Sequence, residues 1–594
     1  MSVTSAGVGS ARSRGGMSGL WNRQLDSYPD TGPRVTYLAI TVLATVTLYY
    51  ELYVGGSVST LFLSKLHMSF TFFVTTLAFG NLIGAFGSLF AGITDRLGRS
   101  NLVVVGLIIT GIFTAFVIPA ATTKWEFTIF GWFVGVVEGI CLVATPALIR
   151  DFSPQTGRAT AMGFWTSGPV LGSLIVAVVG SNTIGATPSP SFWTHEYHIC
   201  GIAGIVVAVV ALVGLRELSP GLRDQLMVSM RDRALIEAKA KGLDIEESLR
   251  RPFQQLVKPD VIVSAVGVSV FLLIYYTAVG FGLIYFATVF GFSTKDGNGL
   301  GNWNWGFNAL AVVLVGIVSD RLRVRKPFMV VGGVLSAVMI VLYLNQAGHH
   351  TSYYHMAALL ALTAVGLGIA YTPWMASFTE TVEARNPALT ATGLAIWGWI
   401  IRVTVFVAYL ILPHVVNTVT PLINYGATTQ VEAAKYSTQL ADAQKFAPEL
   451  ALIQKNAALF AQLQANPTPA LQAQAAQAVG VAELTKIAAN QKAIGGVLAA
   501  ATEPGNAALF GTSGGKPLNG FNYVVAHGAS VQKAAKDEPG QWKTWYWICF
   551  GGVVFFLGCV PLLKGRWSPK AAKADEDAHE AMVEAEMAKL HITA

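Results

Sequence analysis

Along most of this chain apolar residues do not alternate with polar ones. They run in long stretches separated by short polar turns. Crossing the hydrocarbon of a bilayer takes roughly 20 apolar residues in a helix, and twelve stretches approach or exceed that length. Their limits are 35–57, 69–91, 101–121, 125–148, 159–181, 198–215, 260–290, 302–319, 327–346, 355–378, 388–412 and 544–563. The sixth and eighth are short and the seventh is long. The pattern predicts an all-α membrane protein with twelve transmembrane helices, six on each side of a charged central segment.

The basic residues fix the orientation expected of these helices. With the N-terminus inside, the inner segments hold 27 Lys and Arg, whereas the five short outer loops hold only Lys65, Lys124 and Lys295. Retention of positive loops on the cytoplasmic side therefore predicts cytoplasmic N- and C-termini and a multi-pass protein of the plasma (cell inner) membrane. The first apolar run lacks a small-residue cleavage site and reads as a helix that stays in place.

The expected organisation is a cytoplasmic N-tail (1–34), an N-terminal six-helix bundle (35–215) and a cytoplasmic central loop with an amphipathic helix (216–259). A C-terminal six-helix bundle follows (260–412 and 544–563), interrupted by an extracytoplasmic insertion (413–543) and ending in a cytoplasmic C-tail (564–594). Within the insertion, YSTQLADAQKFAPELALIQKNAALFAQL carries helical periodicity up to the break NPTP (466–469), after which LQAQAAQAVGVAELTKIAANQKAIGGVLAA resumes it. This pattern predicts a helical hairpin that caps the outer mouth, meets an extracytoplasmic partner, or moves freely.

Composition agrees with the pattern. Of 594 residues 53% are hydrophobic and 12% charged, about half the charge of soluble domains. The excess of basic residues lies in loops between apolar runs, so membrane topology accounts for it and nucleic-acid binding does not. Cys141, Cys200, Cys549 and Cys559 stand at no metal-ligand spacing, and the His195/His198 group near Glu196 lacks a second cluster; no metal or cofactor is expected. Without a phosphate-binding loop or a nucleophile constellation, an enzyme or an intrinsic ATPase is not expected either.

The two halves echo each other. AGITDRLGRSN (91–101) follows the second run and GIVSDRLRVRKP (316–327) the eighth; RDFSPQTGRATAMG (150–163) follows the fourth and ETVEARNPALTATG (380–393) the tenth. On these residues the chain resembles the major facilitator superfamily of secondary transporters, whose loop signature is G-x-x-x-D-R-x-G-R-[KR]. Asp95, Arg96, Gly98 and Arg99 match it in the first half, with Ala91 and Ser100 departing. In the second half Gly316, Asp320 and Arg321 match, while Arg323 and Val324 replace the second Gly and the following Arg. The resemblance covers nearly the whole chain except 413–543. It implies two pseudo-symmetric bundles with a solute site between them. It also implies that Asp95, with Arg96 and Arg99, and Asp320, with Arg321, act as conformational-switch loops, their acids capping or pairing across the bundle interface.

Three ionisable residues lie well inside apolar runs: Glu51, Glu138 and Arg402. Each is costly there unless it faces the bundle interior or water. Arg402 sits mid-way along a run from Ala388 to Leu412 that has no other charge, and Trp399 and Gly398 share its face. It reads as a substrate hook for a carboxylate or phosphate, a structural partner of Glu138 or Glu51, or a gate. Glu51 and Glu138 are candidate proton-coupling residues, because a carboxyl in apolar surroundings can exchange protons; the alternatives are a helix-end residue and a buried pair. Tyr275, Tyr276, Trp374 and Trp397 join Trp399 and Arg402 as candidate substrate-binding residues, whereas Trp303 and Trp305 read as an interfacial belt. GPVLG (168–172) marks a bend and close packing.

The expected function is alternating-access transport of a small organic solute, anionic or zwitterionic, such as a carboxylic or aromatic metabolite, by proton-coupled uptake. Proton-driven export of amphiphilic drugs or envelope precursors stays open, as does a non-transporting receptor on the same fold.

Overall fold

In the computed structural model the described residues are 23–87, 98–153, 163–220, 222, 256–385, 390–563, 567–571 and short stretches up to 582; the side chains of 383–392 and 508 are not included. Asp95, Arg96 and most of the central loop lie outside this set. The chain forms two compact units, one of Met1–Asn417 with Pro539–Ala594 and one of Thr418–Glu538.

The first unit is helical. After a two-residue strand β1 (Gln24–Leu25) come α1 (Thr31–Ser57), α2 (Ser59–Lys65), α3 (Phe70–Gly87), α4 (Arg99–Ile112), α5 (Lys124–Phe152), α6 (Gly168–Thr183) and α7 (Trp193–Gly214). Strand β2 (Glu217–Leu218) follows, then α8 (Pro259–Phe271), α9 (Leu273–Phe290), α10 (Thr294–Leu322), α11 (Lys326–Leu344), α12 (Tyr353–Arg385) and α13 (Thr390–Val415). Among the described residues ten helices are long and apolar enough to cross a membrane, and eleven if α2 and α3, bent by 117°, form one broken span. The fifth apolar run contributes helical residues 163–166 and the 16-residue α6, which alone is shorter than a span, while 159–162 of that run lie outside the described residues. The seventh run is one span broken at Leu272.

Local chemistry starts and stops these helices. Thr123 and Glu126 form a reciprocal capping box at the start of α5, satisfying amides that have no intrahelical partner. Ser293 caps α10 by accepting from the Asp296 amide at 3.1 Å. Gly291 closes α9 in the left-handed region at φ 70°.

The N-terminal bundle packs around Ala44, Leu48, Leu107, Cys141, Leu148, Phe152, Ala208 and Leu215. β1 pairs in parallel with β2, and Arg23, 1% exposed, donates to the Ala211 carbonyl at 3.3 Å. Burial lowers the pKa of its guanidinium, nearby Arg216 adds to this, and Glu217 opposes it. Residues 23–25, the beginning of α4 and the end of α7 thus share one end of the bundle, the tail face. In the C-terminal bundle, Tyr285 lies 5.1 Å from both Trp542 and Tyr546, and the Trp545 indole donates to Thr277 Oγ1 at 2.9 Å.

Glycines allow helices to meet backbone to backbone. A Cβ on Gly172 would lie 2.6 Å from Tyr49 Cβ and 3.0 Å from the Tyr50 amide, so GPVLG is the seam between α6 and α1. At the end opposite the tail face, the first and second halves touch. A Cβ on Gly56 would strike the Val279 carbonyl, and one on Gly301 would stand 2.9 Å from Ala177. Asn298 Nδ2 donates to the Ser57 carbonyl at 2.9 Å, and Asn302 Nδ2 to Ser181 Oγ at 2.9 Å.

In the second unit, nine-residue helices α14 (Ala427–Lys435), α15 (Ser437–Lys445), α16 (Ala447–Lys455) and α17 (Ala457–Ala465) follow one another with single-residue breaks at Tyr436, Phe446 and Asn456. The return arm is α18 (Pro469–Val479), α19 (Val481–Ala489) and α20 (Gln491–Thr502), broken at Gly480 and Asn490. Phe446 and Ile453 pack on Ile487 and Ile494, while Tyr436 packs on Val497, Ala500 and Phe521. Tyr436 and Phe446 occupy break positions, so each break turns an aromatic ring into the seam between the arms. A final helix, α21 (Gly520–Cys559), leads back to the first unit.

Candidate functional site

The first helix has two working faces. Tyr49 and Tyr53 are one turn apart, with ring centroids separated by 5.6 Å. They meet Tyr275 and Tyr276 of α9 and Tyr371 of α12. Tyr275 and Tyr276 rings are 5.3 Å apart, and Tyr275 lies 5.2 Å from Trp305. Five tyrosines from both halves therefore converge at one place. The sequence singled out Tyr275 and Tyr276; Tyr49 and Tyr53 went unnoticed, although two tyrosines at i and i+4 in an apolar helix are a signal for a lined face.

Arg402 reaches this cluster from α13. Its neighbours include Tyr49 and Tyr276, and its Nη1 donates to the Gly84 carbonyl on α3 at 2.6 Å. The bond crosses from the second half to the first. Gly139 on α5 permits it: a Cβ there would stand 2.9 Å from the Gly84 oxygen. Among the described residues no carboxylate lies within ion-pair distance of Arg402, so it is the structural partner of neither Glu138 nor Glu51.

Next to the tyrosines is a cavity of about 70 Å³ lined by Tyr53, Ser57, Ser173, Asn298, Asn304 and Trp305 among others. Pockets that hold a drug-sized solute have roughly 300 Å³ or more, so the halves must part to admit one. Trp305 is 7% exposed and belongs to this lining, not to an interfacial belt. Trp303, 39% exposed, stacks on Phe307 at 6.0 Å. Asn298 was missed because the eighth apolar run begins at 302, whereas the helix begins at Thr294 and its polar first two turns carry this residue; Asn304 lay inside the run and its polar side chain was not singled out.

The candidate tryptophans separate. Trp374 is fully buried, its indole donates to Ser264 Oγ at 3.0 Å, and it stacks on Phe378 at 5.0 Å; it is part of the core of the second half. Trp397 lies 5.5 Å from Trp374 and its Nε1 has no hydrogen-bond partner among the described residues. Trp399 is 51% exposed and does not join the tyrosine cluster.

On its other face α1 presents Glu51 to the interior of the first half. Thr110 Oγ1 on α4 donates to Glu51 Oε2 at 2.8 Å, and Oε1 has no hydrogen-bond partner among the described residues. A Cβ on Gly204 of α7 would collide with Oε1. Glu138 is 1% exposed, and neither of its oxygens has a hydrogen-bond partner among the described residues. Its titratable neighbours are Glu51, Tyr49, Cys141, Tyr197 and Cys200. Glu51 is therefore not a helix-end residue in contact with solvent.

The repeated loops form matching charge clusters. Gly98 adopts φ 92°, the Arg99 amide donates to Glu217 Oε2 at 2.6 Å, and Arg99 Nη1 pairs with Asp151 at 2.7 Å. In the second half Arg325 pairs with Asp320 at 2.6 Å and Glu380 at 3.1 Å. Asp320 thus pairs inside its own half, with Arg325 and not Arg321, and does not reach across the bundle interface. Asp151, Glu217, Arg325 and Glu380 were missed. Arg325 takes the part of Arg99 one signature position later, after Val324.

Residues 37–408 match the Major Facilitator Superfamily, and the chain belongs to that family: it is a multi-pass membrane protein of a transporter family. Among curated proteins it is similar to efflux pump radE of Floropilus chiversii, with 26% identity over 250 residues, 41% of this chain and 43% of that protein. The aligned part thus spans less than half of that relative. Among solved structures it is similar to a bacterial homolog of the human lysosomal transporter Spinster, inward-facing and unoccupied. That match has a TM-score of 0.56 and 15% identity, and covers 91% of this chain and 100% of the other. A D-xylose-proton symporter matches with TM-score 0.52 and 17% identity over 64% of this chain and 90% of that one. At these identities the likeness is one of fold.

Proposed function

We propose that this protein is a proton-coupled secondary transporter that carries a small anionic or zwitterionic organic solute inward by alternating access. The observation that carries the reading is Arg402. It is a fixed cation between the two halves, has no carboxylate partner among the described residues, is oriented by the Gly84 carbonyl, and is flanked by tyrosine hydroxyls. A guanidinium retains its charge in any environment, so a solute carboxylate or phosphate supplies the counter-charge that the protein does not. Glu51 and Glu138, buried and without an ion-pair partner among the described residues, change charge by taking up or releasing a proton, which supports coupling. The charge asymmetry of the loops supports a plasma (inner) membrane location with both tails cytoplasmic.

Export of an amphiphilic solute is the second reading, favoured by the aromatic and uncharged lining of the cavity. Melting of the purified chain with a panel of organic anions, sugars and lipophilic cations separates the two, because a ligand stabilises the native state in proportion to its occupancy. Anions are expected to raise the melting temperature of the wild type and not of Arg402→Gln. Stabilisation by cations alone, or anion stabilisation that survives in the variant, refutes the anion hook and leaves export.

A further inference from the structure

Glu196 has no part in the solute site, yet it is 1% exposed. It accepts a hydrogen bond from Thr183 at the end of α6 and lies beside His195, both exposed residues at the end opposite the tail face. On α7, Glu196, Cys200 and Gly204 recur every fourth residue and so form one stripe about 12 Å long. The stripe faces α1. The Tyr50 hydroxyl lies beside the Cys200 thiol and near Glu196 and Glu51, without the geometry of a directed hydrogen bond. Gly204 ends the stripe against the unpartnered Oε1 of Glu51.

We infer that Glu196, Tyr50 and Cys200 form the route by which protons from the outer side reach Glu51 and then Glu138, through the interior of the first half and apart from the solute cavity. This rests on the proton-coupled reading. At each hop an incoming proton joins one oxygen or sulfur while the hydrogen already held there passes on, so no group is left charged. Glu196 loads from the surface through Thr183 and His195. Around Glu51 the facing groups are Tyr50 on its own helix, Thr110 on α4, Glu138 and Cys141 on α5, and Cys200 on α7. No lysine or arginine is among them. The tyrosine face of α1 serves the solute and the Glu51 face serves the proton, and the two meet where Tyr49 lies near both Arg402 and Glu138.

The test uses the full chain in phosphatidylcholine–phosphatidylglycerol vesicles with the tail face inward, stepped from mildly alkaline to mildly acidic outer buffer. Infrared difference spectroscopy follows the protonated-carboxyl band that Glu51→Gln removes. Glu196→Gln and Tyr50→Phe are expected to slow its rise by on the order of a hundredfold, as loss of a positioned proton-transfer group does. Glu196→Asp is expected to restore most of the rate, and the final amplitude to stay unchanged. Tyr50→Phe keeps the ring in place, so the test survives a misfolded Glu196 variant. A wild-type rate in both variants overturns the route and leaves proton coupling standing. A spectrum in which Glu51→Gln removes no band overturns both.

Discussion

At the scale of single residues, the direction of a side chain decides its role. Residues 49, 51 and 53 of one helix serve two environments because a turn of 3.6 residues places 51 nearly opposite the other two. Replacing either interior carboxyl tests the coupling half of the proposal. Glu51→Gln and Glu138→Gln are each expected to abolish solute accumulation driven by an acidic exterior, down to the level of protein-free vesicles, and to leave counterflow exchange intact. Uptake in vesicles with an imposed pH difference, beside exchange at equal pH, measures both; unaltered pH dependence in both variants refutes the assignment. The charged intramembrane residues were legible in the sequence, since their cost in lipid marks them wherever they stand. What Arg402 touches was not, because its acceptor is a backbone carbonyl at Gly84, and a carbonyl leaves no trace in residue identity. Trp374 and Trp399 misled for a related reason: helical spacing gives the face a residue lies on, but which face meets the cavity is set by neighbouring helices.

At the scale of elements, the duplicated loops show how a geometry outlives its usual residue. Gly98 sits at φ 92° and Arg323, in the place of the signature's second glycine, at φ 56°. A non-glycine residue in this region costs roughly 1–2 kcal/mol. Arg323→Gly is therefore expected to stabilise the protein by about 1 kcal/mol, read as a higher melting temperature in detergent, with solute binding unchanged; a lower melting temperature would show that the arginine's own contacts outweigh the strain. The loops' repetition was visible in the sequence, but the pairings Arg99–Asp151 and Arg325–Glu380 were not, because each joins segments some 50 residues apart. The insertion was legible as two helical arms around NPTP. Its ten-residue rhythm was not read, although Lys435, Lys445 and Lys455 each precede a break.

At the scale of the whole molecule, apolar run lengths revealed a two-fold helical bundle, and they failed where a polar sequence forms membrane-length helix, as at the start of α10. That polar stretch matters for alternation. Asn298 and Asn302 tie the two halves at the end away from the tail face, and a hydrogen bond contributes about 1 kcal/mol net. The double variant Asn298→Ala/Asn302→Ala is expected to shift the conformational balance by on the order of tenfold toward opening at that end. Labelling of Ser173→Cys in the cavity by an impermeant thiol reagent, added from outside, reads the shift; an unchanged rate would show that the glycine contacts alone hold the halves together. The second unit is inserted in the chain between residues 417 and 539 of the first. Its two flanks are clamped to each other: the Asn417 amide donates to Gln541 Oε1 at 2.9 Å, and Gln541 Nε2 donates to Asn417 Oδ1 at 3.0 Å. A short Gly-Ser linker can therefore replace 418–538, and Pro539 then opens the last span, a position where its missing amide costs nothing. The shortened chain is expected to insert, to melt cooperatively and to keep the stabilisation by anions, while the excised unit, with its own apolar seam, is expected to be helical and monomeric in water by circular dichroism and sedimentation. If the shortened chain folds but anions no longer stabilise it, the insertion takes part in solute binding and the transport site is not confined to the helical bundle.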